Sequence, residues 1–170
     1  MGAYYQGTVN HTRYETWSIG QGAKLMEHSY IGNNYVGLVM DELEKKPAPV
    51  RWVCDYSENE DGFDWEKTTE ASFSKDAKAF DPIYFIYNHT KNVYIDMAEL
   101  ISLFSDRSMM MHPIPILCNS ETESMGGGDL HQEESRRGTW YGDTLEVVYD
   151  RINVLDALNV TEEVKFVEGE

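Results

Sequence analysis

The chain has 170 residues, 41% hydrophobic and 12% aromatic, which suits one domain with its own hydrophobic core and argues against general disorder. Thirty acids face 14 bases, for a formal net charge of −16. That balance excludes direct binding of nucleic acid or anionic lipid and favours basic surfaces as partners. No run of about 18 apolar residues is present to span a membrane, and residues 1–5 lack the basic and apolar regions of a secretory signal.

Residues 3–9 and 12–17 are rich in Tyr, Val, Thr and Trp and predict a hairpin turning at Asn10-His11. Residues 23–31 predict a short helix ended by Gly32. Residues 35–46 carry the strongest helical period, with Tyr35, Leu38, Val39 and Leu43 on one face. Asn34 is the expected N-cap, Lys45 and Lys46 suit the C-terminal dipole, and Pro47 and Pro49 stop the helix. Residues 50–54 predict a short strand. Residues 56–82 are polar and acidic, and they read as a long loop or an irregular helical segment. Residues 83–88 and 92–97 predict a second hairpin, followed by a short helix over 97–105. Residues 114–118, led in by Pro113, read as a strand, residues 119–138 as a polar loop, and residues 139–149 and 163–168 as further strands. The sum is a single α+β domain spanning residues 1–170. It has a mainly antiparallel sheet and two or three short helices.

The negative charge is clustered along the chain. Residues 56–66 hold Glu58, Glu60, Asp61, Asp64 and Glu66 with no base, and residues 119–134 hold five more acids, among them Glu121 and Glu123, again with no base. Phe63 and Trp65 lie within the first run, and aromatic anchors inside a charged surface are typical of interface hot spots. Spread evenly, the net charge amounts to about one per 500 Å², far sparser than duplex DNA, so imitation of DNA requires both runs to share one face.

Other chemistry finds little footing. Residues 55–66 depart from a calcium loop, because Glu60 stands where the sixth-position Gly belongs. The five histidines form neither of the tight zinc pairs, so no metal or cofactor is expected. Gly126, Gly127 and Gly128 are followed by Asp129 instead of the Lys of a phosphate loop. Cys54 and Cys118 are too few for a disulfide framework and read as two reduced, buried thiols of a cytoplasmic protein. No nucleophile motif is present, and the chain reads as a binding protein rather than an enzyme.

Six segments taken in order, MGAYYQGTV, KLMEHSYIGN, VRWVCDYSE, NHTKNVYIDM, HPIPILCNSETESMGGGD and TWYGD, resemble a family of small acidic proteins carried by phages and mobile elements of Gram-positive bacteria. The family has no assigned chemistry and lends no catalytic residues. The resemblance implies the company of host-defence inhibitors, anti-CRISPR proteins included, acting in the host cytoplasm. The expectation is stoichiometric binding to a basic nucleic-acid channel, with Cas9 the leading target. Glu58, Glu60, Asp61, Phe63, Asp64, Trp65, Glu66, Glu121 and Glu123 are the expected contacts. The alternative is a protein that binds or degrades a nucleotide signal, resting on the glycine-rich loop with His112 and His131 nearby. A homo-oligomer fits either reading.

Overall fold

A computed structural model describes residues 4–16, 27, 30–31, 33–54, 65–73, 83–106, 110–120 and 136–166. Within them, eight strands form one sheet: β1 (Tyr5–Val9), β2 (Thr12–Glu15), β3 (Ala48–Cys54), β4 (Thr69–Ser72), β5 (Phe85–Asn88), β6 (Val93–Asp96), β7 (Thr144–Val148) and β8 (Leu158–Asn159). Across the sheet the order is β4-β2-β1-β3-β7-β5-β6-β8. All neighbours are antiparallel except β2 with β4 and β6 with β8, so the expected α+β class and mainly antiparallel sheet hold.

The helices are α1 (Asn34–Lys45), α2 (Met97–Ser102) and α3 (Ile114–Leu117). The expected face of α1 is the buried one: Tyr35, Leu38, Val39 and Leu43 pack into the core. Its cap lies one residue earlier than expected, because Asn33 accepts from the Tyr35 amide at 2.8 Å and the Val36 amide at 3.4 Å. Asn34 already stands in the first turn.

Tyr35 fastens α1 to the first hairpin. Its hydroxyl donates to the Tyr14 carbonyl and accepts from the Gly7 amide at 2.8 Å. Its ring meets Trp52 edge-on at 5.6 Å and Phe73 at 5.8 Å, and Phe73 in turn stacks on Tyr14 at 4.2 Å. Gly7 leaves room for this packing, since a Cβ there would lie 3.0 Å from the Trp52 ring.

Both expected hairpins form, with left-handed Asn10 and Asn92 in their turns. Four expectations fail. Residues 114–118 are helical instead of extended: Pro113 and Pro115 occupy the cap and the first turn, where a missing N–H costs nothing. Residues 139–142 turn before β7 begins at Thr144, with Gly142 at a φ of 77°. The region 163–168 holds no strand among its described residues, since Thr161–Val164 is a 3-10 turn. The edge strands β4 and β8 went unanticipated, and Pro49 lies inside β3 paired with Thr144. Of the helix expected over 23–31, only residues 27, 30 and 31 are described.

Candidate functional site

Glu58, Glu60, Asp61, Phe63, Asp64, Glu121 and Glu123 lie outside the described residues. Trp65 opens the 3-10 turn Trp65–Lys67, in which Glu66 is exposed. The fold does show where the two acidic segments depart. The first follows Cys54 at the end of β3, and the second follows Ser120 just beyond α3. These two residues are hydrogen-bonded: the Cys54 amide donates to the Ser120 hydroxyl at 3.0 Å. Trp52 and Asn119 form a parallel bridge beside them, closed by Trp52 N–H to the Cys118 carbonyl and Ser120 N–H to the Trp52 carbonyl, each 2.8 Å. Imitation of DNA requires both runs to share one face, and the described residues show only that the two segments leave the fold from neighbouring positions.

Charge divides along the same line. The described residues hold 16 acids and 10 bases, so the remaining segments hold 14 acids and only 4 bases. The described residues thus carry a net charge of −6 and the rest of the chain −10, so most of the surplus negative charge belongs to the residues outside the described ones.

The root itself is fully buried. Neither Cys54 nor Cys118 is in a disulfide, and both are buried, as expected. The Cys118 thiol donates to the Trp140 carbonyl at 3.6 Å. Burial pushes its pKa well up and Asp143 adds to this, while Lys91 and Arg51 oppose it. A thiol held protonated in this way is a packing group and a poor nucleophile. Asn119 is fully buried, and neither its carboxamide nitrogen nor its oxygen makes a hydrogen bond. Such a group costs stability, and it marks the root as the least satisfied part of the described interior.

His112 is an internal group. It is buried against Tyr84, so its side chain does not face a ligand from outside. His89 is exposed and pairs with Glu146 at 2.9 Å. Among the described residues no three His, Cys, Asp or Glu side chains are placed to hold a metal ion, and no helix is long and apolar enough to cross a membrane.

Sequence reasoning missed one concavity. A cleft of about 460 Å³ lies between the first hairpin, the C-terminal end of α1 and the Pro47–Pro49 stretch. Tyr14, Glu42, Lys45 and Lys46 bring its polar groups together. Glu42 pairs with Lys45 at 2.8 Å, and the pKa of the neighbouring Tyr14 hydroxyl is raised by burial first and then by the charge of Glu42. The ion pairs of Lys45 with Asp41 and Glu42 stabilise the end of α1 beside the cleft. No sequence signal foretold it, because its walls come from segments distant in the chain.

No known protein family, curated protein or solved structure matches this chain.

Proposed function

We propose that this chain is an acidic inhibitor protein that binds stoichiometrically to the basic nucleic-acid channel of a host defence enzyme. It is of the anti-CRISPR kind, with Cas9 the first target to test. The observation that carries the reading is the hydrogen bond between Cys54 and Ser120, which roots the two base-free acidic segments side by side. Two segments with a common root present their acids to one partner surface more readily than two loops on opposite sides of a domain. Channels that hold nucleic acid are lined with Lys and Arg and attract such a surface. Glu58, Glu60, Asp61, Asp64, Glu66, Glu121 and Glu123 supply the charge in this reading, and Phe63 and Trp65 supply apolar anchors.

The test uses purified Cas9 with its guide RNA and measures binding of this protein, its salt dependence and the loss of DNA binding. Two variants are compared with the parent: Glu58, Glu60, Asp61 and Asp64 all changed to Ser, and Glu121 and Glu123 changed to Ser. Weaker binding with a flatter salt slope in each variant supports the reading. Inhibition as strong as the parent's in both variants removes the acidic segments from the interface and ends the proposal. Absence of binding by the parent removes Cas9 as the target.

A further inference from the structure

We propose that the open edge of the sheet at β8 is a docking surface for a second copy of this chain. β8 runs parallel to β6, with Leu158 opposite Val93 and Asn159 opposite Tyr94. Its inward N–H groups are those of Leu158, which donates to the Asn92 carbonyl at 3.2 Å, and Val160, which donates to the Tyr94 carbonyl at 3.0 Å. Strand alternation then points the N–H and C=O of the intervening Asn159 away from β6. Both residues of β8 are exposed. The Asn159 side chain does not shield this edge. Its Nδ2 donates to Glu99 at 2.9 Å, and its Oδ1 accepts from the Thr161 amide at 2.9 Å and the Thr161 hydroxyl at 2.5 Å.

Three aliphatic side chains lead into this edge at intervals of three residues: Ile152 is 68% exposed, Leu155 66% and Leu158 65%. The opposite edge of the sheet is built differently. β4 is polar, its Glu70 pairs with Arg13 at 3.2 Å, and its Ser72 bonds Glu15 at 3.0 Å. Charged side chains are an ordinary device that keeps an edge strand from pairing with another chain, and β8 carries none.

The occupant follows from charge, symmetry and area. Residues 149–160 hold two acids and one base, a nearly neutral window on a chain of net −16. A basic partner finds little to bind in this window, and a second copy meets little repulsion from it. An edge that meets itself about a two-fold axis pairs antiparallel, and Asn159 opposite its own copy exchanges two N–H···O bonds. The three aliphatic side chains expose on the order of 350 Å², nearly half of the roughly 800 Å² per partner that a stable interface buries. The apolar contact carries the association and the strand edge sets its orientation.

The experiment is sedimentation of the full chain over a range of concentrations at about 50 mM and about 500 mM salt. A concentration-dependent dimer that tightens at high salt is expected, because screening relieves the repulsion between two acidic molecules. This salt response is opposite in sign to that of the acidic segments on a basic partner, so the two proposals stand or fall separately. Leu155→Asp and Leu158→Asp each weaken the dimer by at least about tenfold. Their folding is checked by circular dichroism and a urea midpoint, and Ile152→Ser is the milder third variant. In the unmodified chain, exchange of the Asn159 amide with deuterium slows as concentration rises. A monomer under every condition, a dimer indifferent to all three substitutions, or an Asn159 amide that exchanges at one rate throughout overturns the proposal.

Discussion

The hydroxyl oxygen of Tyr84 lies 2.8 Å from Nε2 of His112, and both side chains are buried. The Ile114 amide donates to Nδ1 of the same ring at 3.3 Å, so Nδ1 accepts and Nε2 carries the proton that reaches Tyr84. Burial lowers the His112 pKa from 6.5 to about 3. In the unfolded chain the ring takes up a proton near pH 6.5, whereas in the fold it stays neutral. Between these two values the unfolded state binds more protons, so this site's contribution to stability is full above about pH 6.5 and declines as pH falls. The expected slope is about 1.4 kcal/mol per pH unit until the folded value is reached. Urea unfolding of the parent and of His112→Gln from pH 7.5 down to 4.5 checks it: the difference between the two should shrink as pH falls. A constant difference over that range shows that the ring protonates inside the fold.

Asp143 ties the second hairpin to the start of β7. Its Oδ2 accepts from Lys91 Nζ at 2.5 Å and from Asn88 Nδ2 at 2.9 Å, and Asn88 in turn accepts from the Lys91 amide at 3.0 Å. The carboxylate is 11% exposed and the ammonium 41%, so the two ends lose unequally when separated. Asp143→Ala strands a buried carboxamide as well as the lysine, and a loss of about 2–3 kcal/mol is expected. Lys91→Met should cost less if the carboxylate keeps Asn88 as a partner. Urea midpoints of the two single variants and the double variant measure the coupling directly. Additive losses would show that the ion pair contributes nothing.

Gly7 faces the Trp52 ring from the neighbouring strand, and an added Cβ would lie 3.0 Å from it. Trp52 is fully buried and meets the Tyr35 ring edge-on at 5.6 Å, so the ring has little room to retreat. Gly7→Ala should destabilise the protein by about 1–3 kcal/mol through overpacking. In a Trp52→Leu background, where the ring is gone, the same change should cost much less. An equal cost in both backgrounds would assign it to the backbone of β1 instead of the ring.

Helix α1 and the two hairpins were legible because their signals are local. A 3.6-residue apolar period marks α1, and paired runs of Tyr, Val, Ile and Thr about a short polar break mark the hairpins, at Asn10-His11 in the first and at residues 89–91 in the second. The segment 114–118 was misread because a run of five apolar residues fits a buried strand as well as a buried helical turn, and only the position of its prolines tells them apart. The strands β4 and β8 were missed for another reason. Thr69–Ser72 and Leu158–Asn159 are short and alternate weakly, and each is extended because a distant parallel neighbour, β2 or β6, pairs with it. The candidate interface was legible as composition, through two runs without a base. Its common root was not, since Cys54 and Ser120 are 66 residues apart and one of the two bonding groups is a backbone amide that no side-chain pattern reveals.

The position of β7 bears on how the chain is made. It is the strand that joins β3 to β5, and so joins β4, β2, β1 and β3 to β5, β6 and β8. Leu145 pairs with Ala48 at one of its edges and with Asn88 at the other, and both pairings span long stretches of sequence. While residues 1–143 emerge from the ribosome, the strands on either side can form only separate partial sheets. Each is left with a bare edge, at β3 and at β5. Long-range pairings close slowly, and bare edges invite aggregation. A chain ended at residue 143 should therefore give a lower soluble fraction than one ended at residue 148, since only the second can join the two partial sheets.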